Sequence, residues 1–220
     1  KFPEEIKGKW NFSPPEYLKK SMEIEEFCQT HKIQYVETCY AAAYLYDWLS
    51  AMAKIHPQSR LLIPYIDQCW KVGQRAGIVT YDIADRYPNF AYAKFALAAG
   101  ILHNVGRALM AITFLETNPT YIDFTNRLDK VPNLPRLAYS LQERNAYGIS
   151  YNEVSAMAMR PFSVFNQISL ALNYQLEPYY LKPIDKNLYL LASALQLAAH
   201  MGAAWRIPVD DKDPLMRQWK

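Results

Sequence analysis

The chain has 220 residues, of which 51% are apolar and 20% are charged, and its formal net charge is +3. This length and composition fit one folded domain, or one domain with an appendage, and argue against disorder over most of the chain. The small positive charge is too weak to indicate a nucleic-acid-binding protein.

Cysteine usage and apolar runs bear on where the protein works. Cys28, Cys39 and Cys69 are odd in number and show no metal-binding or redox spacing, so we expect free thiols in a reducing, cytoplasmic compartment. The longest apolar run is interrupted by Lys94 and His103, so it does not predict a membrane span. No signal peptide is visible and the chain opens without Met, which we interpret as a fragment of a longer protein.

Residues 1–63 predict an irregular arm followed by two helices. Prolines and aromatic residues in 1–20 favour the arm, and helices are predicted at about 21–30 and 34–54. Apolar residues of the second helix form a stripe that should pack on the rest of the chain or on a partner. The members of this stripe are Val36, Tyr40, Ala43, Tyr44, Leu45, Trp48 and Met52.

The clearest helical pattern covers about 64–87. Apolar and small residues recur there at three- and four-residue spacing along the whole segment. Pro64 suits the first helical turn, and Pro88 ends the helix because proline cannot extend the hydrogen-bond ladder. The residues of the inner face are Ile66, Cys69, Trp70, Gly73, Ala76, Gly77, Thr80, Ile83, Ala84 and Tyr87.

A second apolar helix should form the centre of the core. Asn89 can cap a helix that runs to about residue 103 and is apolar on nearly all sides. Gly106 then permits a sharp turn. A further helix is predicted from Arg107 to about Glu116.

Local capping signals place the remaining helices. Gly148 is a good residue to follow a helix C-terminus, Ser150 with Glu153 forms a capping box, and Asp185 can cap the last helix. Helices are therefore predicted at about 119–131, 135–148, 151–161, 162–175 and 185–204, before a polar tail at 206–220. No strand pattern interrupts them, so the predicted fold is all-α, a compact multi-helix bundle.

Few residues have the spacing that catalysis or metal binding requires. His103, in a strongly apolar segment beside a glycine, is either a satisfied core residue or a functional ligand or base. Lys71 and Arg75, one helical turn apart, and Arg107 either form an anion site or lie on a solvated face. Asp129 is interpreted as part of a solvated face. The sequence contains no nucleophile elbow, phosphate-binding glycine loop or His-Glu-x-x-His motif.

The stretch FALAAGILHNVGRALMAI (95–112) resembles the helical HD superfamily, in which a His-Asp step closes the central helix within the pattern GLLHDIG. The matching residues here are GILHNVG (100–106). The nearest subfamily is the HDOD domains, output modules of bacterial signalling proteins that are related to HD and HD-GYP phosphohydrolases. The resemblance covers about 64–205 and implies one HDOD-like helical domain there, with 1–63 packed on it and 206–220 as a polar tail.

Several weaker motifs follow in the family's order. CWKVGQRAGIVTYDIA (69–84) resembles the preceding helix, which opens Trp-x-His-Ser, and LQERNAYGISYNEVSAMAM (141–159) resembles the segment that carries a later histidine. ISLALNYQLEP (168–178) resembles the place of a His-His pair before a proline. YLLASALQLAAHMGAAW (189–205) resembles the final helix, which holds the last metal-binding Asp in active members.

By this resemblance, His103 is the one residue of the expected metal-ligand set that remains. The other positions carry Val72, Asn104, Asn152, Tyr174, Gln175 and Ala199. One imidazole and one amide cannot offset the free-energy cost of removing water from a divalent cation, and they cannot lower the pKa of a bound water. The resemblance therefore implies a vestigial pocket with no metal, no cofactor and no catalytic residue.

Three functions are compatible with this reading. The leading interpretation is a non-catalytic HDOD-like signalling module of a bacterial regulatory protein, which binds protein partners or a second copy of itself. The first alternative is a nucleotide or cyclic-dinucleotide binding module that uses Lys71, Arg75, His103, Arg107 and Asn152. The second is a divergent metal-dependent phosphohydrolase that has recruited other residues.

Overall fold

The computed structural model describes residues 19–30, 36–87, 89–131, 134–162 and 165–200. Regular structure in these ranges is helical, without a strand, which confirms the all-α prediction. The α-helices are α1 (Lys19–Thr30), α2 (Val36–Ile55), α3 (Ser59–Asp85), α4 (Ala96–Leu102), α5 (Val105–Thr113), α6 (Tyr121–Leu128), α7 (Arg136–Tyr147), α8 (Tyr151–Met159), α9 (Asn166–Asn173) and α10 (Lys186–His200). Residues 1–18 of the predicted arm and the whole tail at 206–220 lie outside the described residues.

The short helix α4 lies at the centre of the core. All seven of its residues are buried, and α2, α3, α9 and α10 pack against it. This confirms the prediction that the segment is a buried central helix. Its side chains are apolar on every side, so burial of the whole helix removes apolar surface from water. Gly100 of α4 faces Gly77 of α3, where the absence of a side chain lets the two backbones approach closely.

The start of α4 differs from the prediction that Asn89 is its cap. Asn89 has a φ of 69°, in the left-handed region that Asn tolerates better than most residues. The chain turns there and enters α4 through a 3-10 turn at Ala93–Phe95. Asn89 therefore belongs to a turn that separates α3 from α4, and the helix is shorter than predicted.

Helix α3 begins earlier than predicted. It starts at Ser59, so Pro64 lies inside the helix rather than in its first turn, and the helix ends at Asp85. Leu62, before the proline, is fully buried, and this burial favours helix on both sides of Pro64. The predicted inner face is buried except for Ile83, which is partly exposed, and Tyr87, which is exposed. The helix also crosses the boundary between residues 63 and 64 that the family resemblance implies.

The inner face of α2 is rotated from the predicted stripe. Of the predicted members whose burial is described, only Ala43 is fully buried, whereas Tyr40, Tyr44, Leu45, Trp48 and Met52 are partly exposed. The buried face consists of Cys39, Ala42, Ala43, Tyr46, Leu49 and Ala53. The small members of this face, Cys39, Ala42, Ala43 and Ala53, allow α2 to pack closely against α3 and α4. The prediction that α2 packs on the rest of the chain is confirmed, with a different set of residues.

His103 and Asn104 form the turn between α4 and α5, and Gly106 lies inside α5. Gly106 is therefore not the turn residue that was predicted. A Cβ atom at Gly106 would collide with the Tyr151 carbonyl and with Ser155, so its role is to bring α5 against α8.

The later capping signals are confirmed. Gly148 follows α7 with a φ of 76°, and Ser150 with Glu153 forms the capping box of α8. The Asp185 carboxylate accepts hydrogen bonds from the backbone N–H groups of Asn187 and Leu188. Helix α10 is described to His200, and the last predicted turn, 201–204, lies outside the described residues.

One described segment, Ala93–Thr113, is long and apolar enough to span a membrane. It covers the 3-10 turn, α4 and α5, and 89% of its most apolar window is buried inside the protein. Its apolar surface is therefore already covered by other helices, as in the core of a folded domain. The described residues thus give no clear membrane span.

Asp47 of α2 fixes the start of α1. Its carboxylate accepts hydrogen bonds from the backbone N–H groups of Lys20 and Ser21, at 3.0 and 2.9 Å, and from the Ser21 hydroxyl. We expect Asp47→Ala to lower the free energy of unfolding by about 2 kcal/mol, because buried donors lose a charged acceptor. Urea denaturation measures the loss. Asp67→Ala, which removes the half-exposed partner of the buried Lys20, is the control and should cost less than Asp47→Ala, because Lys20 keeps its hydrogen bond to the Ser50 hydroxyl.

Candidate functional site

His103 is buried between α4 and α5, and its tautomer follows from its surroundings. Its Nδ1 atom lies 2.7 Å from the Gly100 carbonyl oxygen. Because a carbonyl only accepts, Nδ1 carries the proton and Nε2 presents a lone pair. Among the described residues, Nε2 has no hydrogen-bond partner. The ring is thus held by the backbone through one nitrogen and offers an acceptor through the other.

The electrostatic surroundings of His103 oppose positive charge. Burial, together with the neighbouring guanidinium groups of Arg136 and Arg107, lowers its pKa to about 3, although the hydrogen bond to Gly100 acts in the opposite direction. His103 is therefore neutral at physiological pH. A cation at Nε2 would meet the same burial and the same two positive charges.

This lowered pKa predicts a dependence of stability on acid. As pH falls below about 6.5 towards 3, the unfolded chain takes up a proton that the folded chain excludes, so this group's contribution to stability is lost. By pH 4 the loss should be on the order of 3 kcal/mol. His103→Asn retains an N–H donor for Gly100 and does not titrate. We therefore expect its free energy of unfolding, measured by urea denaturation from pH 4 to 8, to fall less at acidic pH than that of the wild-type protein.

Comparison of the wild-type protein with His103→Asn separates the contribution of His103 from that of other groups that titrate over the same pH range. His56→Asn, in the connection between α2 and α3, controls for the loss of one histidine from the chain. If the free energy of unfolding fell equally at acidic pH in the wild-type protein and in His103→Asn, the lowered pKa of His103 would be contradicted.

Residues at the other positions of the implied ligand set are mostly buried but chemically unlike ligands. Val72 on α3 and Ala199 on α10 are buried and apolar. Asn104 is buried, and its Oδ1 atom has no hydrogen-bond partner in the described part of the chain. Tyr174 is partly exposed, whereas Gln175 is buried, with neither polar atom of its amide bonded to a described residue.

Asn152, at the position of a later family histidine, has a structural role. Its Oδ1 atom accepts hydrogen bonds from the hydroxyls of Ser140 and Ser150, at 3.0 and 2.8 Å. Its Nδ2 atom donates to the Asn173 carbonyl at 3.3 Å. The side chain therefore links α7, α8 and the end of α9.

Hydrogen bonds connect several of these positions through residues that the sequence did not single out. Ser155 of α8 accepts from the Gly106 N–H at 2.8 Å and lies 3.4 Å from the His103 carbonyl oxygen. Arg136 of α7 donates to the Ala199 carbonyl at 2.9 Å and also acts on the pKa of His103. These contacts connect α4, α5, α7, α8 and α10 around His103.

The three basic residues proposed for an anion site are not on a solvated face. Arg107 and Arg75 are buried, and Lys71 is partly exposed. The contacts described above link neither Lys71 nor Arg75 to His103. The solvated-face interpretation is wrong for the two arginines, since burial of a guanidinium requires partners inside the protein.

Arg107 belongs to a buried cluster that sequence reasoning missed. Its guanidinium carbon lies 4.4 Å from the centre of the Tyr139 ring and 5.5 Å from that of Tyr151. One of its nitrogens is 3.8 Å from the Asp129 carboxylate, so Asp129 is not simply part of a solvated face. We call this group the Arg107 cluster; its members are Arg107, Tyr121, Asp129, Tyr139, Glu143 and Tyr151.

Glu143 is the least expected member of the Arg107 cluster. Its side chain is fully buried, accepts a hydrogen bond from the Tyr121 hydroxyl, and accepts another from the Tyr151 backbone N–H at 2.9 Å. Burial raises its pKa to about 7, although Arg107 and the two hydrogen bonds lower it. A weak signal exists in the sequence, because Glu143 is one turn from buried Tyr139 on the inner face of α7.

The donors around His103 do not form a metal site among the described residues. No group of three or more His, Cys, Asp or Glu side chains is placed there to hold a metal ion. The groups shown to act on His103 are the Gly100 carbonyl, the Ser155 hydroxyl and two arginines, whereas a divalent cation needs anionic oxygen ligands or several imidazoles. The arrangement can accept and donate hydrogen bonds, and it carries positive charge.

Comparison with known proteins adds no family assignment. No family model matches the chain, and neither a curated protein nor a solved structure is significantly similar to it.

Proposed function

We propose that the chain is a non-catalytic, HDOD-like helical module of a bacterial regulatory protein, which works in the cytoplasm by binding protein partners. The sequence resemblance supplies the family and the signalling context. The observation that carries the non-catalytic part is the environment of His103, where burial and two arginines lower its pKa and the other ligand positions are neutral.

The physical argument concerns the charge that a metal would need. Active HD enzymes neutralise their metal with carboxylates and several imidazoles, which also lower the pKa of the attacking water. Here Asn104 and Asn152 are neutral amides, and the second of these is already bonded to two serines and a backbone carbonyl. Without compensating negative charge, a dication at Nε2 of His103 would be repelled by Arg107 and Arg136.

Metal analysis of the purified chain tests this proposal. We expect less than stoichiometric Fe, Mn and Zn by elemental mass spectrometry, and no phosphodiesterase turnover after addition of Mn²⁺ or Fe²⁺. One equivalent of metal per chain that is lost in His103→Ala would overturn the proposal. Turnover that His103→Ala abolishes would overturn it in favour of a divergent phosphohydrolase.

The unbonded polar atoms favour one alternative function, a small-ligand module. Nε2 of His103, Oδ1 of Asn104 and the Gln175 amide are buried without hydrogen-bond partners among the described residues. Such groups cost free energy unless a ligand, an ion or water satisfies them. A nucleotide could offer N–H and hydroxyl donors to the acceptors, and its phosphate would be attracted by Arg136 and Arg107.

A thermal-shift screen with nucleotides and cyclic dinucleotides discriminates the two functions. A ligand that binds only the folded chain must raise the unfolding midpoint in proportion to its concentration above Kd. A rise that disappears in Gln175→Leu would support the small-ligand module. A flat response over the whole panel would contradict a module for those ligands.

A further inference from the structure

An apolar groove lies between the C-terminal end of α3 and helix α10, and we call it the α3–α10 groove. Its volume is about 100 Å³, and no charged side chain of the described residues lines it. The lining includes Ile83, Tyr87 and Phe90 from the end of α3 and the turn after it, and Leu190, Ala194 and Leu197 from α10. The groove shares no lining residue with the surroundings of His103 or with the Arg107 cluster.

The α3–α10 groove leaves large apolar side chains in contact with water. Tyr87 is 56% exposed and Leu197 is 46% exposed, while Ile83 and Leu190 are partly exposed. A segment that covered these side chains would remove apolar surface from water and stabilise the fold. Sites for small ligands have volumes of about 300–1,000 Å³, so this smaller groove fits one or two side chains of a polypeptide better than a nucleotide.

The sequence that follows α10 has an apolar pattern suited to such a groove. Apolar residues stand at every second position, namely Trp205, Ile207 and Val209. In an extended chain, side chains two positions apart point to the same side, so this spacing predicts one apolar edge. Pro208 favours extended backbone at the residue before it, and Arg206 and Pro208 fall on the opposite edge.

The lengths of the segment and of the groove agree. Helix α10 is described to His200, so residues 201–204 are available for the chain to reverse its direction, and Gly202 tolerates turn conformations. An extended path over 205–209 covers about 13 Å. The helical stretch from Leu190 to Leu197 covers about 10 Å. A segment antiparallel to α10 would therefore span the groove.

The N-terminal segment, residues 1–18, enters the fold farther from the α3–α10 groove. It precedes α1, where the Lys20 ammonium lies 3.2 Å from the Asp67 carboxylate. Asp67 and Ile83 are both on α3 and are separated by roughly 24 Å along the helix axis. Because a shorter connection gives a tethered segment a higher local concentration, this geometry favours the C-terminal segment as the occupant.

We propose that residues 205–209 dock in the α3–α10 groove, antiparallel to α10, with the apolar edge of the segment on the groove lining. Trp205 then lies near Leu197, and Val209 lies towards Leu190. The occupant is the chain's own C-terminal segment, which fastens the end of α3 to α10. The inference does not depend on the proposed HDOD-like function.

A double-mutant cycle in the full chain tests the docking by urea denaturation. We expect Trp205→Ala to raise the equilibrium constant for unfolding roughly tenfold, because a docked aromatic side chain returns to water. Combined with Leu197→Ala, it should raise that constant at least about threefold less than the product of the two single effects, as for side chains in contact. Trp219→Ala, in the same segment but outside 205–209, is the matched control, and its effect should multiply with that of Leu197→Ala.

Fluorine NMR gives a second measurement that does not depend on stability. In the full chain labelled with 5-fluorotryptophan, the Trp205 resonance is the one lost in Trp205→Phe. Its chemical shift should differ little between H2O and D2O, because the docked ring is shielded from solvent. Leu197→Asp places a charge in the groove, and the solvent shift of Trp205 should then increase to that of an exposed ring.

Three results would overturn the proposal. The first is an effect of Trp205→Ala that simply multiplies with that of Leu197→Ala, or a Trp205 solvent shift that Leu197→Asp leaves unchanged. The second is coupling of Leu197→Ala to Trp10→Ala instead, which would assign the groove to residues 1–18. The third is coupling to Trp205→Ala that grows with protein concentration, which would assign the groove to the C-terminal segment of a second copy.

Discussion

Replacing Gly100 by Ala is expected to lower the free energy of unfolding by about 3 kcal/mol, because the new methyl group has no space. A Cβ atom at Gly100 would collide with the Gly77 backbone and with the Ala76 carbonyl oxygen, so a side-chain rotation cannot relieve the clash. Helices α3 and α4 would have to separate, and every residue of α4 is buried. Urea denaturation followed by circular dichroism measures the change.

Two other glycines provide controls for this substitution. A Cβ at Gly77 would lie 3.0 Å from the Leu97 carbonyl oxygen, so small shifts suffice, and the helix preference for Ala offsets part of the cost. Gly148 has open space around it but a φ of 76°, so Gly148→Ala should cost about 1 kcal/mol from backbone strain alone. If Gly100→Ala were no worse than these two variants, the close approach of α3 and α4 would be contradicted.

Local sequence signals were sufficient for three helix boundaries. The capping box at Ser150, the left-handed Gly148 and the Asp185 cap each depend on residues within one turn, and each is confirmed. The burial of α4 could also be predicted, since no side of it is polar. Pro64 and Asn89 show the limit of such rules. Both residues are compatible with more than one local structure. Which structure forms depends on packing against distant parts of the chain.

The surroundings of His103 could be predicted only in part. Its burial follows from its apolar neighbours, but its two cationic neighbours come from different helices, with Arg136 more than 30 residues away along the chain. The same holds for Glu143, whose partner Tyr121 is 22 positions earlier. A charged residue on a helix is ordinarily interpreted as solvated unless its partner is known, which is why the burial of Arg107 was missed.

Arg107→Met is expected to lower the free energy of unfolding by about 4 kcal/mol at pH 8, because it removes the cation from a buried cluster. At that pH Glu143 is ionised, and it would remain buried without the guanidinium that lowers its pKa. At pH 5.5 Glu143 is protonated, so the same substitution should cost less. The stacking of the guanidinium against Tyr139 is lost at both pH values. Urea denaturation of both proteins at each pH measures the difference.

A double-mutant cycle separates the charge from the stacking. Glu143→Gln should recover part of the stability that Arg107→Met loses at pH 8 and little at pH 5.5, because only the ionised carboxyl group needs the cation. Arg107→Lys keeps the charge but not the planar contact with the two tyrosine rings, so we expect it to cost about 1–2 kcal/mol at both pH values. If the cost of Arg107→Met were the same at both pH values and Glu143→Gln recovered none of it, Arg107 would stabilise the core through packing alone.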